Sequence, residues 1–574
     1  MIKRLLIANR GEIALRIIHA CSELAIESVA VYSDADANAP HVSAADRAVG
    51  IGPAPAAASY LSIPNLLEAA EASGADAVHP GYGFLSENAG FARACEDTGL
   101  IFVGPPSQVI AAMGSKIEAR KLMQASGVPV VPGDTPDDQT DAGLQRAVGR
   151  IGLPVLIKAS AGGGGKGMRR VHDAKDIVDA IQAARRESTA AFGDGTLYVE
   201  RLLERPRHVE VQVFGDHHGR IDHLFERECS TQRRHQKVIE ESPSPALTPG
   251  LRERVTAAAV TAARAAGYRN AGTVEFLLAG SDFYFLEMNT RLQVEHPVTE
   301  AVTGLDLVRA QLLVASGERL PWAEGAVTQR GHAIEARVYA EDPARGFLPQ
   351  AGELLVYREP RLPGIRIDSG VVEGGTVSVY YDPLLAKVIA SADTRDAAIS
   401  RLVQALRGYA IVGVNTNIPL LLRILDHPDF RGGSTDTGFL DRELAALVEP
   451  SEQQISVVSG FSRTDPDPWS TLAGWRVGGV QGPAKAGHYY YNHETGRRGS
   501  NVTGPQALSA PMPATVAKVL VKPGAAVKKG DTVILLEAMK MELPLRAPAD
   551  ATVKAIHCRE GELVQPDVTL IELE

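Results

Sequence analysis

Six polar side chains recur along one stretch, GTVEFLLAGSDFYFLEMNTRLQVEHP (residues 272–297): Glu275, Glu287, Asn289, Arg291, Gln293 and Glu295. Two β-rich runs flank Gly280-Ser281-Asp282, a turn signal, so the stretch reads as a hairpin. Glu275 and Glu287 are equidistant from Ser281. In such a hairpin they stand opposite each other, and Asn289 shares their face. Like carboxylates so placed repel unless a cation intervenes. Two carboxylates and an amide oxygen suit a hard cation bound with phosphates, namely Mg²⁺. The flanking Val, Phe, Leu and Met look buried, which weighs against acids merely solvated on an open face. If the strand stays extended, Arg291, Gln293 and Glu295 continue the same wall. A cation beside a carboxylate and an amide suits a small anion and its proton transfer. The plain alternative is a surface ion-pair ladder.

Phosphate chemistry is suggested elsewhere. In LIKASAGGGGKGMRRV (residues 156–171) a strand ends in Lys158, and four glycines lead to Lys166. Glycines let backbone N–H groups approach phosphate oxygens, and a lysine adds charge. The spacing is not a Walker loop, since GKS and GKT are absent. A glycine run alone also reads as a flexible loop. TLYVERLL (residues 196–203) is a second apolar strand, placing Glu200 near its end. RECSTQRRHQKVIEESP (residues 227–243) gathers Arg233, Arg234, His235 and Lys237, either a phosphate grip or a solvated turn. His208 stands at a strand entry in PRHVEVQV, where a structural role is the commoner one.

The elements that must position these residues alternate. Residues 2–8 read as a buried strand, residues 12–21 as a helix, and residues 29–32 and 77–79 as further strands. Alternation of this kind predicts a parallel α/β domain. The first turn is NRGE, which gives no dinucleotide fingerprint. HPGYGFLSEN (residues 79–88) is a glycine-punctuated loop suited to a site wall. At about 150 residues per domain, the 574 residues predict three or four domains. Net charge −10 argues against a general affinity for nucleic acid. No apolar run reaches ~18 residues, so no membrane span is expected. Arg10, Glu12 and Arg16 interrupt the first apolar stretch, unlike a secretory signal. Cys21, Cys95, Cys229 and Cys558 are scattered, which fits a reducing cytoplasm and gives no zinc or disulfide framework.

The tail is two similar halves. ATVAKVLVKPGAAVKKGDTVILLE (residues 514–537) aligns with ATVKAIHCREGELVQPDVTLIELE (residues 551–574), matching Gly524 to Gly561 and Val527 to Val564. Such self-similarity predicts two copies of one β unit packed together. Lys540, between Met539 and Met541, falls in the connection between the halves, where function tends to sit. A solvated lysine beside two packing methionines is the bland alternative.

Taken in order, these motifs resemble known families. The AMKM setting of Lys540 resembles the biotinyl domain of biotin-dependent carboxylases, whose lysine receives biotin. IANRGEIALRI, GYGFLSEN, RRHQKVIEE, EMNTRLQVEHPVTE and YYDPLLAKV resemble biotin carboxylase over about residues 1–447. The resemblance implies an α/β ATP-grasp biotin carboxylase with a Rossmann-like N-terminal domain (1–113), an ATP-grasp domain (114–320) and a C-terminal α+β domain (321–447). A linker or truncated docking segment (448–507) follows, then an all-β biotinyl/lipoyl-type flattened barrel (508–574).

By the same resemblance, Lys116, Lys158, Gly164, Gly165, Glu200, Leu203, His208, Gln232 and His235 match the ATP-binding set. Glu275, Glu287 and Asn289 match the metal ligands (Mg²⁺ or Mn²⁺). Lys237, Arg291, Gln293, Val294 and Glu295 match the bicarbonate site, with Arg291, Glu295 and Lys237 the catalytic set and Glu295 the base. Tyr82, Arg337 and Asp382 match positions near biotin, and Lys540 is the biotinylation site. Ala161, Arg201 and Leu202 depart from common family choices. The implied mechanism forms carboxyphosphate from ATP and bicarbonate, releases CO₂ in a closed site under a glycine-loop lid, and captures it on biotin.

The implied partners are a separate carboxyltransferase subunit acting on an acyl-CoA, a biotin protein ligase, and a second copy of the carboxylase part within a larger complex. The remaining length leaves no room for a carboxyltransferase domain, so a single-chain pyruvate carboxylase is not expected. Acetyl-, propionyl- and methylcrotonyl-CoA all remain open as that acyl-CoA, since nothing in the sequence reads the acyl group. Residues 448–507 are rich in Gly, Ser and Pro. They read as a tether spanning ~40–45 Å on average. WSTLAGWRV, with Trp469 and Trp475, resembles the start of a docking domain. Two other readings stand: a different ATP-grasp ligase forming an acyl phosphate, and a non-catalytic carrier and scaffold.

Overall fold

A computed structural model describes residues 1–160, 167–234, 236–448, 506–538, 541–565 and 568–574. Two compact units emerge, one built mainly of residues 1–447 and one built mainly of the C-terminal barrel.

The first unit opens with a five-stranded parallel sheet, spatially ordered Arg47–Gly50, Glu27–Tyr32, Arg4–Ile7, Ala77–His79, Ile101–Phe102. Leu5, Leu6 and Ile7 are all fully buried. A parallel sheet is covered on both faces, which explains the unbroken apolar run in the sequence. The helix Gly11–Glu23 buries Ile13, Ala14, Ile17, Ile18 and Cys21 at helical spacing against this sheet. Asn9 of the NRGE turn donates to the carbonyls of Pro80 and Tyr82 at 2.7 and 2.8 Å. It thereby pins the HPGYGFLSEN loop. Gly81 adopts φ +60°, and a Cβ there would meet the Asn9 amide at 2.8 Å. Only glycine lets the two segments approach so closely.

An eight-stranded antiparallel sheet forms the centre. Its order is Asp282–Asn289, Asn270–Ala279, Arg207–Gly215, Ile221–Arg233, Gln236–Ser242, His332–Tyr339, Leu384–Ala392, Ile365–Ser369. It runs without a break from the ATP-grasp region into the C-terminal region, because Gln236–Ser242 pairs with His332–Tyr339. A smaller sheet, ordered Gly133–Asp134, Leu197–Arg201, Val155–Ala159, Arg169–Val171, has its own core of Leu144, Val148, Ile157, Ile181 and Val199. Among the described residues no helix is long and apolar enough to cross a membrane.

The barrel carries the two-fold pattern read in the sequence. One sheet is ordered Gln506–Ser509, Thr569–Leu573, Ala551–Ile556, Ala526–Val527. The other is Met541–Arg546, Thr532–Ala538, Ala514–Val519, Leu563–Val564. Position by position, each strand's partner in the other sheet is its repeat counterpart. The matched turn glycines agree, with φ +84° at Gly524 and +83° at Gly561. Val516, Val533, Ile534, Val553, Leu570 and Ile571 fill the interior. Met539 and Lys540 lie outside the described residues, between two strands that neighbour each other in one sheet.

Candidate active site

The site lies on the eight-stranded sheet, around Lys237. Its Nζ donates to Glu210 Oε2 at 2.5 Å, Glu275 Oε1 at 2.8 Å and Glu295 Oε1 at 2.6 Å. Burial disfavours the ammonium, but the three carboxylates outweigh it and hold Lys237 well above its ordinary value. Arg227, completely buried, braces the cluster from below. It donates to Glu210 at 2.5 Å, Gln212 at 2.9 Å, Thr299 at 3.0 Å and Thr273 at 3.1 Å. All its partners are fixed, so Glu210 is a rigid wall for Lys237.

The hairpin that presents the paired acids is as expected in outcome and different in construction. Gly280 and Ser281 form a two-residue loop with Gly280 at φ +65°, a hairpin connection that favours glycine at the first central position. That loop pairs Ala279 with Asp282 and Phe276 with Phe285. Continued regularly, it would set Glu275 opposite Leu286. A bulge between Glu275 and Phe276 lets Leu286 slip out, and Glu275 pairs with Glu287. Asn289 stands opposite Thr273.

The expected extension of this strand through Glu295 does not occur. The strand ends at Asn289, and Glu295 already stands at the N-terminal boundary of the helix His296–Thr303, with Pro297 in its first turn. A proline there ends extension and starts the helix. Even so, Arg291 Nη1 meets Gln293 at 2.9 Å, and Gln293 meets Glu275 at 3.2 Å. Irregular backbone folds the three back onto the wall that an extended strand was expected to form.

Around this centre the environments push the carboxyls apart. Burial raises Glu275, but Lys237 and His208 overcome it and hold its carboxyl well below the usual range. The Glu287 carboxyl is raised by burial first and then by Glu275. Glu295 is held well below its ordinary range by Lys237, Arg337 and Arg227 against the effect of burial. His208 Nε2 lies 3.0 Å from Glu275 Oε2, and Gln232 lies 3.4 Å from its other nitrogen. A facing carboxyl pair, Glu275 buried and Glu287 half-buried, with one member pushed up suits a hard cation. Glu275, Glu287 and Asn289 therefore fit Mg²⁺ by donor chemistry. Asn289 Oδ1 accepts from Arg291 at 3.2 Å, and its amide donates to Glu275 at 2.8 Å.

Arg291 also donates to Glu87 of the pinned loop at 2.9 Å. On the smaller sheet, Glu200 bridges Lys158 at 2.9 Å and Arg120 at 2.7 Å. Lys116 is held below its ordinary value by burial, which Glu287 opposes. Leu203 is half-buried beyond the strand that carries Glu200. The basic cluster at 233–237 divides. Arg233 packs 3.6 Å over the Phe347 ring and pairs with Glu341, Arg234 is exposed, and Lys237 enters the site. On the far side Arg337 joins Glu240 at 2.6 Å to Glu295 at 3.0 Å. Tyr82 bonds Glu12, Lys387 lies 3.1 Å from Glu12, and Lys387 also donates to the Val294 carbonyl at 2.9 Å. Asp382 is exposed and accepts from the Leu384 N–H at 3.0 Å. No hydrogen bond joins it to Tyr82 or Arg337. Gly164, Gly165, His235 and Lys540 lie outside the described residues.

Sequence reasoning passed over Glu210, Arg227, Glu240, Glu335 and Lys387. One signal was present: HVEVQV alternates apolar and polar in a strand buried on both faces, which puts His208, Glu210 and Gln212 on the site side.

Residues 1–110 match the family described as biotin carboxylase, N-terminal domain, and residues 115–323 the carbamoyl-phosphate synthase L chain, ATP binding domain. Residues 335–442 match the biotin carboxylase C-terminal domain, and 506–573 the biotin-requiring enzyme domain. The chain is 41% identical to the mitochondrial methylcrotonoyl-CoA carboxylase subunit alpha of Dictyostelium discoideum, over 99% of this chain and 95% of that one. That alignment runs to 666 positions, so it opens gaps in this 574-residue chain. It is 52% identical to the biotin carboxylase of Halalkalibacterium halodurans, over 77% of this chain and 98% of that one. The Hydrogenobacter thermophilus 2-oxoglutarate carboxylase biotin carboxylase domain dimer, solved with MgADP, ADP and bicarbonate, superposes with TM-score 0.75. Identity to it is 44%, covering 79% of this chain and all of that one.

Proposed function

This chain belongs to the biotin-dependent carboxylases, as a biotin carboxylase continued into a biotin carrier, and on that premise we propose which of its residues carry the reaction and which acceptor lies downstream. The enzyme uses ATP, Mg²⁺ and bicarbonate to carboxylate biotin.

Bicarbonate sits among Lys237, Arg291, Gln293, Val294 and Glu295, where Lys237 and Arg291 offset its charge. Glu295, kept ionised by its cationic neighbours, accepts the bicarbonate proton. The freed oxygen attacks the γ-phosphorus of ATP, ADP leaves, and carboxyphosphate forms. Its C–O bond then breaks to give CO₂ and phosphate. Lys116, Lys158 and His208 hold the phosphates, with Glu200 orienting Lys158. Gly164, Gly165 and His235, by family position, complete that grip, with Leu203 and Gln232 beside the nucleoside. Mg²⁺, held by Glu275, Glu287 and Asn289, neutralises charge on the phosphate chain. Biotin on Lys540, attached by a biotin ligase, would supply a ureido nitrogen whose N–H proton passes to the phosphate released with CO₂ as the N–C bond forms. Arg337 and Tyr82 would steady that ring, with Asp382 beside it.

The observation that carries this reading is the convergence of Lys237 on Glu275 and Glu295, of Arg337 on Glu295, and of Arg291 on Glu275 through Gln293. Bicarbonate-dependent ATP cleavage tests it. Lys237→Gln and Glu295→Gln are expected to lower kcat by about a hundredfold or more. Unchanged cleavage in both would overturn the assignment.

The downstream acceptor is an acyl-CoA of the methylcrotonoyl class, held by a separate carboxyltransferase subunit. Its support is the match to a methylcrotonoyl-CoA carboxylase α subunit along nearly the whole chain. Charged with labelled CO₂ and mixed with such a subunit, the chain should pass label to 3-methylcrotonyl-CoA. Transfer to pyruvate or 2-oxoglutarate instead would refute it. The carboxylase part pairs with a second copy in the larger assembly, which sedimentation checks directly.

A further inference from the structure

Glu335, on the strand His332–Tyr339, is completely buried, and neither of its carboxyl oxygens meets a hydrogen-bond donor among the described residues. Directly across on Gln236–Ser242 stands Glu240, also completely buried. Glu240 Oε1 accepts from Arg337, while its Oε2 has no donor. Three oxygens on two cross-strand neighbours are therefore undonated. Opposed residues in an antiparallel pair have Cβ atoms about 4.5–5.5 Å apart, within reach for carboxyl to touch carboxyl.

The surrounding cations are bonded to carboxylates other than Glu335. Lys387, from the neighbouring strand Leu384–Ala392, serves Glu12 at 3.1 Å and Asp368 at 3.6 Å. Lys237, on Glu240's own strand, serves Glu210, Glu275 and Glu295. Arg337 serves Glu240 and Glu295. Tyr82, from the pinned loop, bonds Glu12, and Glu295 faces the group from the start of its helix. No recorded hydrogen bond or ion pair joins any of these cations to Glu335. Two carboxylates placed side by side repel, which favours retention of a proton by one of them.

We propose that Glu335 and Glu240 share one proton across the strands, the Glu335 O–H donating to Glu240 Oε2, and that this proton holds Arg337 in its bridge to Glu295. With the proton, the pair carries one negative charge, which Arg337 matches while keeping one N–H for Glu295. Without it, a second negative charge draws the guanidinium off Glu295 and away from the reacting groups. Burial, against the opposing field of Lys387, pushes the Glu335 carboxyl well up, in keeping with a retained proton. Glu335 is thus a positioning residue acting through Arg337. The inference rests on the roles given to Arg337 and Glu295, and two of its readouts are independent of activity.

The test uses the full-length biotinylated chain with Glu335→Gln and Glu335→Leu. Wild type should show the infrared carbonyl band of a protonated carboxylic acid at neutral pH, and Glu335→Gln should lose it. The thermal midpoint gives a second readout. Folded wild type keeps a proton that its unfolded chain releases above the ordinary glutamate value of 4.5, so its stability falls as pH rises. Glu335→Gln has no such proton, and its midpoint should gain on wild type with rising pH. In bicarbonate-dependent ATP cleavage, Glu335→Gln should stay within about twofold at neutral pH and retain activity further into the alkaline range. Glu335→Leu, which orphans Glu240 Oε2, should lose about tenfold or more. A wild type without the band, or a Glu335→Gln whose midpoint and alkaline limb track wild type, overturns the proposal. Should Glu335→Leu fail to fold, the band and the Gln variant still decide.

Discussion

At the scale of single residues, the centre is a lysine shared among three carboxylates. Lys237 offsets Glu210, Glu275 and Glu295 at once, so its removal leaves several buried charges short of a partner. Lys237→Ala should therefore lower stability by about 3–5 kcal/mol as well as activity, read as a fall in the thermal midpoint. Lys237→Arg should recover part of the stability and little of the rate, because a forked guanidinium cannot replace a compact ammonium. The acid side of the stability curve follows from Glu275 and Glu295. Both carboxyls are held below their ordinary value of 4.5 when folded. A depressed carboxyl contributes stability that is complete above its unfolded value and lost as pH falls toward its folded one. Wild type should lose stability steeply below about pH 4.5, and Glu275→Gln should lose it less steeply, checked by thermal melts across pH. Equal slopes would contradict this assignment of charge.

At the scale of elements, the hairpin shows what the sequence could and could not disclose. The pairing of Glu275 with Glu287 was readable from a turn signal and from equal spacing. The bulge at Leu286 that restores this pairing was not, because a bulge is set by twist and packing and carries no residue signature here. The fold of Arg291, Gln293 and Glu295 back onto the site was likewise hidden. Alternation predicts an extended strand, and only Pro297 hinted that a helix begins there. The first parallel sheet and the barrel repeat were legible because continuous apolar runs and a fixed offset are direct marks of those architectures. Gly272, on the strand that carries Glu275, tests the element itself. A Cβ there would lie 2.3 Å from the Tyr268 ring, which is buried. Gly272→Ala should displace that ring and cost about 1–3 kcal/mol, measured by denaturation, with weakened Mg²⁺-dependent ATP cleavage. Wild-type stability in that variant would show that the hairpin tolerates movement.

At the scale of the whole molecule, the chain joins a carboxylating unit to a carrier with its own core. The two barrel sheets repeat each other strand for strand, and their interiors are filled by residues of the barrel itself. Residues 506–574 expressed alone should therefore fold and accept biotin from a biotin ligase, seen as a mass increase absent from Lys540→Arg. An unfolded fragment would show that the barrel depends on the rest of the chain. The measurement that bears most directly on the account is fixation of labelled bicarbonate. The biotinylated chain is given MgATP and labelled bicarbonate, and acid-labile label on the protein is followed beside Lys540→Ala and Arg291→Ala. Label on wild type that disappears in both variants is the predicted result, since the arginine serves the bicarbonate step and the lysine carries the product. Label persisting in Arg291→Ala, or none on fully biotinylated wild type, would contradict it.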